Sequence, residues 1–180
     1  MIGVRKILNR GDRKAVVKMR RMHSAVISAG TDFATGSEIC FWNDSVLIHT
    51  LVDESRQSHV LALRQICQMK AAIDSILPSY CICAKGRSFP SPSGLSIRKA
   101  NARLVYLSAS SLAFTNCFIV EAAVQRSRLY HDWYIDNRIV QKAREIISRT
   151  ADGTKMFRLY PRGSRRIFHM FRGSFLVKRR

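Results

Sequence analysis

The sequence feature that most constrains the fold is a pair of apolar runs separated by only two residues. The runs Glu38 to Trp42 and Ser45 to Thr50 are rich in Ile, Val, Leu, Phe and Trp, which is typical of β-strands. Asn43 and Asp44 join the runs, and both residue types tolerate the left-handed backbone that a tight hairpin turn requires. The sequence therefore predicts a β-hairpin here.

Helical and strand-like patterns alternate along the rest of the chain. Apolar residues recur at helical spacing over residues 4–27, 55–77, 110–125 and 137–149, the last of these after a capping residue at Asp136. Strand-like runs cover 80–84, 103–108, 131–136, 155–160 and 166–177, and the Pro-containing segment 86–96 is predicted to be a loop. This order predicts an α+β fold with helices packed on an antiparallel-rich sheet.

Basic residues are concentrated at the two ends of the chain. Over 180 residues, 31 Lys and Arg face 12 Asp and Glu, which gives a formal net charge of +19. Residues 1–21 carry +7 and residues 155–180 carry +9, whereas the middle is nearly balanced. We therefore divide the chain into a basic helical N-terminal extension (1–30), an α+β core domain (31–154), and basic C-terminal strands with a tail (155–180).

The basic ends predict a polyanionic partner, because a charge of this size repels itself unless an anion offsets it. Lys and Arg contact phosphate oxygens and release counterions, which provides affinity without sequence choice. We interpret the chain as a nucleic-acid-binding protein, RNA being the expected partner, that works within a ribonucleoprotein or another complex with further proteins. The candidate binding residues are the basic side chains Arg13, Lys14, Lys18, Arg20, Arg21, Arg162, Arg165, Arg166, Arg172, Lys178, Arg179 and Arg180.

The ring side chains of the C-terminal segment are compatible with two roles. Phe168, His169, Phe171 and Phe175 are available to stack on unpaired bases, or they belong to the core of the sheet. We expect the core for at least half of them.

The sequence shows no pattern that carries catalysis. Its five cysteines, Cys40, Cys67, Cys81, Cys83 and Cys117, are odd in number and lie in apolar runs, so we predict reduced core residues. No zinc-ligand spacing, phosphate-binding glycine loop or recognisable pairing of a nucleophile with a base occurs. We predict no catalytic residue and no cofactor, which favours a non-enzymatic function.

Three stretches nevertheless share a pattern with a known family. They are Phe41-Trp-Asn-Asp-Ser-Val-Leu-Ile, Cys81-Ile-Cys-Ala-Lys-Gly-Arg-Ser-Phe, and Leu112 to Ala122 leading to Trp133-Tyr-Ile-Asp-Asn-Arg-Ile. With the order of elements, they resemble the class III nucleotide cyclases over roughly residues 30–145. The resemblance implies a ferredoxin-like, cyclase-like sandwich.

The same resemblance gives Asp44 a role. In that family, two carboxylates on neighbouring strands hold two metal ions, and Asp44 matches the aspartate of the hairpin, which implies Mg²⁺ or Mn²⁺ as its metal. The second carboxylate has no counterpart, because this chain begins with a basic helix where the family has its first strand. The alternative for Asp44 is a turn residue chosen for its backbone conformation.

The sequence is compatible with three classes of function. The first is nucleic-acid binding, the second is a cyclase-like or degenerate nucleotide-binding protein, and the third is a subunit that docks on an acidic protein or membrane surface. No apolar run is long enough to span a membrane, so we expect an intracellular protein, cytoplasmic or organellar. The Arg-rich first segment is also typical of mitochondrial targeting.

Overall fold

The computed structural model describes residues 13–30, 37–42, 45–90, 109–128, 130–145, 147 and 155–172. Its helices are α1 (Arg13–Gly30), α2 (Arg56–Asp74), α3 (Leu112–Ser127) and α4 (Asn137–Lys142). Its strands are β1 (Ser37–Trp42), β2 (Ser45–Thr50), β3 (Cys81–Cys83), β4 (Ser88–Pro90), β5 (Ala109–Ser111), β6 (Trp133–Asp136), β7 (Phe157–Leu159) and β8 (Phe168–Phe171). These elements confirm the predicted α+β class.

The predicted hairpin is present. β1 and β2 pair antiparallel, in a register that runs from Ser37 opposite Thr50 to Trp42 opposite Ser45. Asn43 and Asp44, for which a turn conformation was predicted, lie outside the described residues.

The central sheet has four strands in the order β3-β6-β8-β7. β3 and β6 are parallel, as expected for strands joined by a crossover through α3, and β8 is antiparallel to both β6 and β7. Within the described residues, β1–β2 and β4–β5 form two further antiparallel pairs, so the strands make three sheets rather than one. The ferredoxin-like detail is not confirmed, since β3 and β6 are direct neighbours with no strand between them.

Helices cover both faces of this sheet, and the burial of β6 follows from this arrangement. All four of its residues are buried, which is typical of a strand with both faces covered. Trp133 and Ile135 pack in a cluster with Leu63 of α2 and with Ile147. Tyr134 packs on the other face with Val120 of α3. The molecule therefore has three layers: α2 and α4, the sheet, and α3.

Two helices follow the sequence prediction closely at their starts. Ser55 caps α2 by accepting a hydrogen bond from the backbone N–H of Ser58. Asp136 caps α4 by accepting from the N–H of Arg138, as predicted. The helix predicted for residues 137–149 is interrupted at Ala143, which leaves the helical conformation while it stays buried.

The segment predicted as the loop 86–96 contains a strand. β4 pairs with β5, which follows more than twenty residues later in the chain. Pro90 at the end of β4 hid this strand from sequence reading, although an edge strand accepts proline. The strand predicted for 103–108 lies outside the described residues.

Candidate nucleic-acid interface and the adjoining groove

α1 presents a basic face to solvent. It packs against α2 and buries Met22 and Val26. No Asp or Glu occurs among its residues, so its charge is uncompensated within the helix. All of its predicted binding residues are exposed, namely Arg13, Lys14, Lys18, Arg20 and Arg21.

A second basic surface surrounds the turn between β7 and β8. Gly163 has a φ of 88°, a left-handed conformation that favours glycine, and the Ser164 N–H closes the turn by donating to the Pro161 carbonyl at 3.0 Å. The predicted binding residues exposed here are Arg162, Arg165 and Arg166, and Arg172 is exposed at the opposite end of β8. Three more, Lys178, Arg179 and Arg180, lie outside the described residues.

The structure distinguishes the two roles considered for the C-terminal rings, of which at least half were expected in the core. Phe168 and Phe171 are completely buried in the sheet, so stacking on bases is wrong for both and the core reading is correct. Phe175 lies outside the described residues. Tyr160, by contrast, is 64% exposed and adjoins the basic turn, and Phe157 is 41% exposed at the opposite end of β7. Sequence reading missed these two rings because it assigned residues 155–160 to a strand without a direction for each side chain.

His169 is half-buried between the sheet and α4. Its Nε2 lies 2.9 Å from Asn137 Oδ1. Partial burial lowers the pKa of His169, and the positive charge of Arg158 lowers it further. A neutral ring is the favoured state, which suits a structural contact better than a phosphate contact.

The two basic surfaces belong to different layers. α1 packs on α2, on one side of the sheet. The β7–β8 turn leans toward α3 on the other side, since Ser164 Oγ donates to Asn116 Oδ1 at 3.4 Å. The structure does not bring the two groups of predicted residues into a single patch within its described part.

A cluster of charges that sequence reasoning missed lies where β3 and β6 end. Asp136 is 1% exposed, accepts from Arg138 Nη2 at 2.6 Å, and also accepts from the backbone N–H of Lys85 at 3.3 Å. Lys85 Nζ reaches both carboxylate oxygens of Glu54, at 2.8 and 2.9 Å. Lys142 Nζ adds a bond to the Glu54 carbonyl oxygen. An acid two residues before an Arg, at the end of a fully apolar strand, is the signal that could have identified it.

The charge cluster binds its own members tightly. The pKa of Glu54 lies below its ordinary value, because Lys85 donates a hydrogen bond to the carboxylate and carries the opposite charge. The carboxylates of Glu54 and Asp136 therefore each already accept a hydrogen bond from a cationic side chain. The charge cluster holds the loop before α2 against the end of β3.

Gly86 fixes α3 at this same end of the sheet. Ser111 caps α3 by accepting from the Ala113 N–H, and the Leu112 N–H donates to the Arg87 carbonyl at 3.1 Å. A Cβ atom at Gly86 would lie 2.3 Å from the Ala113 nitrogen and 2.7 Å from the Leu112 carbonyl carbon. Only glycine allows this approach of the two backbones.

A groove of about 670 Å³ opens beside the charge cluster. β2, β3, α2 and α3 line it, mostly with apolar side chains. His59 of α2 also lines it and is 3% exposed. The Nδ1 of His59 lies 2.8 Å from the Ser55 carbonyl oxygen, but its Nε2 is buried with no hydrogen-bond partner among the residues that the structure describes. A buried polar atom of this kind indicates a space in which a polar group can be received.

The predicted metal ligand Asp44 lies outside the described residues, and with it the metal site of the cyclase resemblance. Among the residues that are described, no group of three or more His, Cys, Asp or Glu side chains is arranged to hold a metal ion. Cys67, Cys81, Cys83 and Cys117 are free thiols, each buried or half-buried, as predicted for reduced core residues. Burial raises the pKa of Cys117 to about 12, so its thiol stays protonated at neutral pH.

Comparison with known proteins gives no family for this chain. No protein-family model, no curated protein and no solved structure matches it. Within the described ranges, none of the helices has the length and apolar character needed to cross a membrane.

Proposed function

We propose that this chain binds nucleic acid, with RNA as the expected form, through the basic faces of α1 and of the β7–β8 turn. The observation that carries the proposal is the composition of α1, which displays five exposed cations and contains no acid. Packing of a helix in the core does not account for exposed cations on its outer face that have no acidic residues among them. Phosphates supply a counter-charge that the helix itself does not contain.

The turn between β7 and β8 supports the same proposal by a second kind of contact. Tyr160 is an exposed ring, and Arg158 and Arg162, two positions before and after it in the sequence, are also open to solvent. Stacking of a base on such a ring, with phosphates on the neighbouring guanidinium groups, is how single strands are commonly held. This combination favours RNA with unpaired bases over a smooth duplex.

Because the two surfaces lie in different layers, we expect them to contact separate segments of the nucleic acid. Substitutions on one surface should then leave the other working, and their effects on binding free energy should add. Two sites joined on one rigid protein also raise the apparent affinity for a long strand above that for a short one.

The test measures binding of a fluorescent single-stranded RNA of about 16 nucleotides by anisotropy over a series of salt concentrations. Replacing both Arg20 and Arg21 with Ala should lower the slope of log K against log salt by about 1.4, at about 0.7 for each lost phosphate contact. The matched control replaces Arg64 and Arg126, which are exposed on α2 and α3, with Ala. It removes the same charge and should change the slope little.

Two outcomes contradict the proposal. One is the absence of binding at low salt by the unaltered chain. The other is an equal loss in the two double variants, because net charge alone, and not the face of α1, would then explain the attraction.

A further inference from the structure

The groove beside β2 and β3 is bordered by the edges of these strands. Residues Ser45 to Val52 line it in unbroken succession, and so do residues Ser79 to Arg87. Successive side chains of a strand point to opposite faces, so a whole run can border one space only along the strand edge. In the described residues, β2 pairs with β1 alone and β3 pairs with β6 alone, which leaves these two edges facing the groove.

Helices close the groove on its two remaining sides. α2 contributes one face of its length, including Leu63, Ile66 and Ile73, and α3 contributes Phe114 and Phe118. The ring of Phe114 also packs on His49 of β2, with centroids 5.5 Å apart, so α3 reaches from β3 to the hairpin. A space with strand edges on two sides and helices on the other two has the surroundings of a strand inside a three-layer sandwich.

The backbone of β3 is oriented for pairing on this side. The Cys81 N–H donates to the Asp132 carbonyl beside β6, at 2.9 Å. Backbone groups alternate in direction along a strand, so those of Ile82 point away from β6 and toward the groove. Among the described residues, the Ile82 carbonyl accepts only a thiol contact there, from Cys117 Sγ at 3.8 Å. A thiol is a weak donor that an amide N–H can replace.

The charged residues that line the groove indicate which kind of segment it can bind. Lys85, Arg87 and Arg138 line the groove where β3 ends, whereas Glu54 and Glu121 are the acids of its lining. Lys85 and Arg138 already hold Glu54 and Asp136, but Arg87 is exposed and no ion pair holds it within the described residues. A carboxylate is the group that this end of the groove can receive.

We propose that the groove binds an extended segment of a partner protein, which adds as a strand between β2 and β3. The segment is apolar at successive positions, because helices cover both of its faces, and it carries acidic residues at the end near Arg87. Its backbone joins the β1–β2 pair to the four-stranded sheet, and His59, whose Nε2 has no partner among the described residues, lines the space it enters. This proposal stands apart from nucleic-acid binding, which uses other surfaces and another assay.

The test uses a fluorescent synthetic peptide in which valine and alanine alternate over the length of β2, followed by a pair of aspartates. A second peptide has the same sequence with alternate backbone amides N-methylated, which removes the donors to one strand edge. The unmodified peptide should bind saturably, and the methylated one about tenfold more weakly or worse, since each lost backbone bond weakens binding by about that factor. Hydrogen exchange at Ile82 and Ala84 should slow when the unmodified peptide is bound.

A pair of variants in α2 locates the site. Ala62 lines the groove, and Ala62→Trp should fill it and weaken peptide binding at least about tenfold. Ala71 lies on the exposed face of the same helix, so Ala71→Trp should leave binding unchanged. The peptide comparison keeps the test decisive if Ala62→Trp fails to fold.

Several results would overturn the proposal. Equal binding of the two peptides means an apolar pocket without strand pairing, and the absence of saturable binding means no site. Slow exchange at Ile82 before peptide is added means that the chain fills the groove itself. A dimer that Ala62→Trp converts to a monomer makes a second copy the occupant.

Discussion

Replacing Gly86 with Ala should destabilise the protein by about 3 kcal/mol. The added Cβ would lie 2.3 Å from the Ala113 nitrogen, so the start of α3 must move away from the end of β3. Overpacking of this kind costs about 1–3 kcal/mol, and loss of the bond from the Leu112 N–H to the Arg87 carbonyl adds about 1 kcal/mol. For a chain of this size, the melting temperature should fall by roughly 6–12 °C. Urea unfolding followed by tryptophan fluorescence gives the free energy directly.

Gly163 supplies the matched control. A Cβ there meets none of the described atoms within 4 Å, so Gly163→Ala should cost only about 1 kcal/mol, from the φ of 88°. If Gly86→Ala instead unfolds at the same urea concentration as the unaltered chain, then α3 does not rest on Gly86 and the crowding argument is refuted. Equal losses at the two glycines would likewise point to backbone entropy as the common cause.

Three more perturbations have defined outcomes. Asp136→Asn should lower the free energy of unfolding by about 3 kcal/mol, since it leaves the Arg138 cation partly buried without its carboxylate; circular dichroism in urea measures this. Tyr160→Ala should weaken RNA binding by about 1–3 kcal/mol if a base stacks on the ring, whereas Tyr160→Phe should preserve it. The folded-state pKa of His169 lies below its ordinary 6.5, so the stability that its neutral form contributes should be lost as the pH falls below that value. His169→Gln, which can keep a hydrogen bond to Asn137, should reduce this acid sensitivity, and urea midpoints on either side of that pH would show whether it does.

Local signals in the sequence predicted most of the elements correctly. The hairpin, the start of α2 at Ser55 and the cap at Asp136 each depend on residues within a few positions of one another. Such signals act before any tertiary contact forms, which is why they can be read from one sequence.

The arrangement of the strands could not be predicted in the same way. β8 pairs with β6, which lies some thirty residues earlier in the chain. β4 pairs with β5, which lies about twenty residues later. No local pattern specifies which of several apolar strands become neighbours. The separation into three sheets therefore emerged only from the structure.

The candidate site was likewise predictable from the sequence only where it depends on local patterns. Exposure of the basic residues of α1 follows from helical spacing, and the structure agrees with it. The network of Lys85, Asp136 and Arg138 joins residues about fifty positions apart, so it is visible only after β3 and β6 pair. The groove likewise depends on strands from separate parts of the chain.

The position of β8 in the sheet has a consequence for synthesis of the protein. Until Phe168 to Phe171 have left the ribosome, β6, whose four residues are all buried in the folded protein, exposes one edge that has no other partner among the described strands. Such an edge is a template for pairing with other nascent chains. A chain truncated before residue 168 should therefore aggregate rather than accumulate as a partly folded monomer.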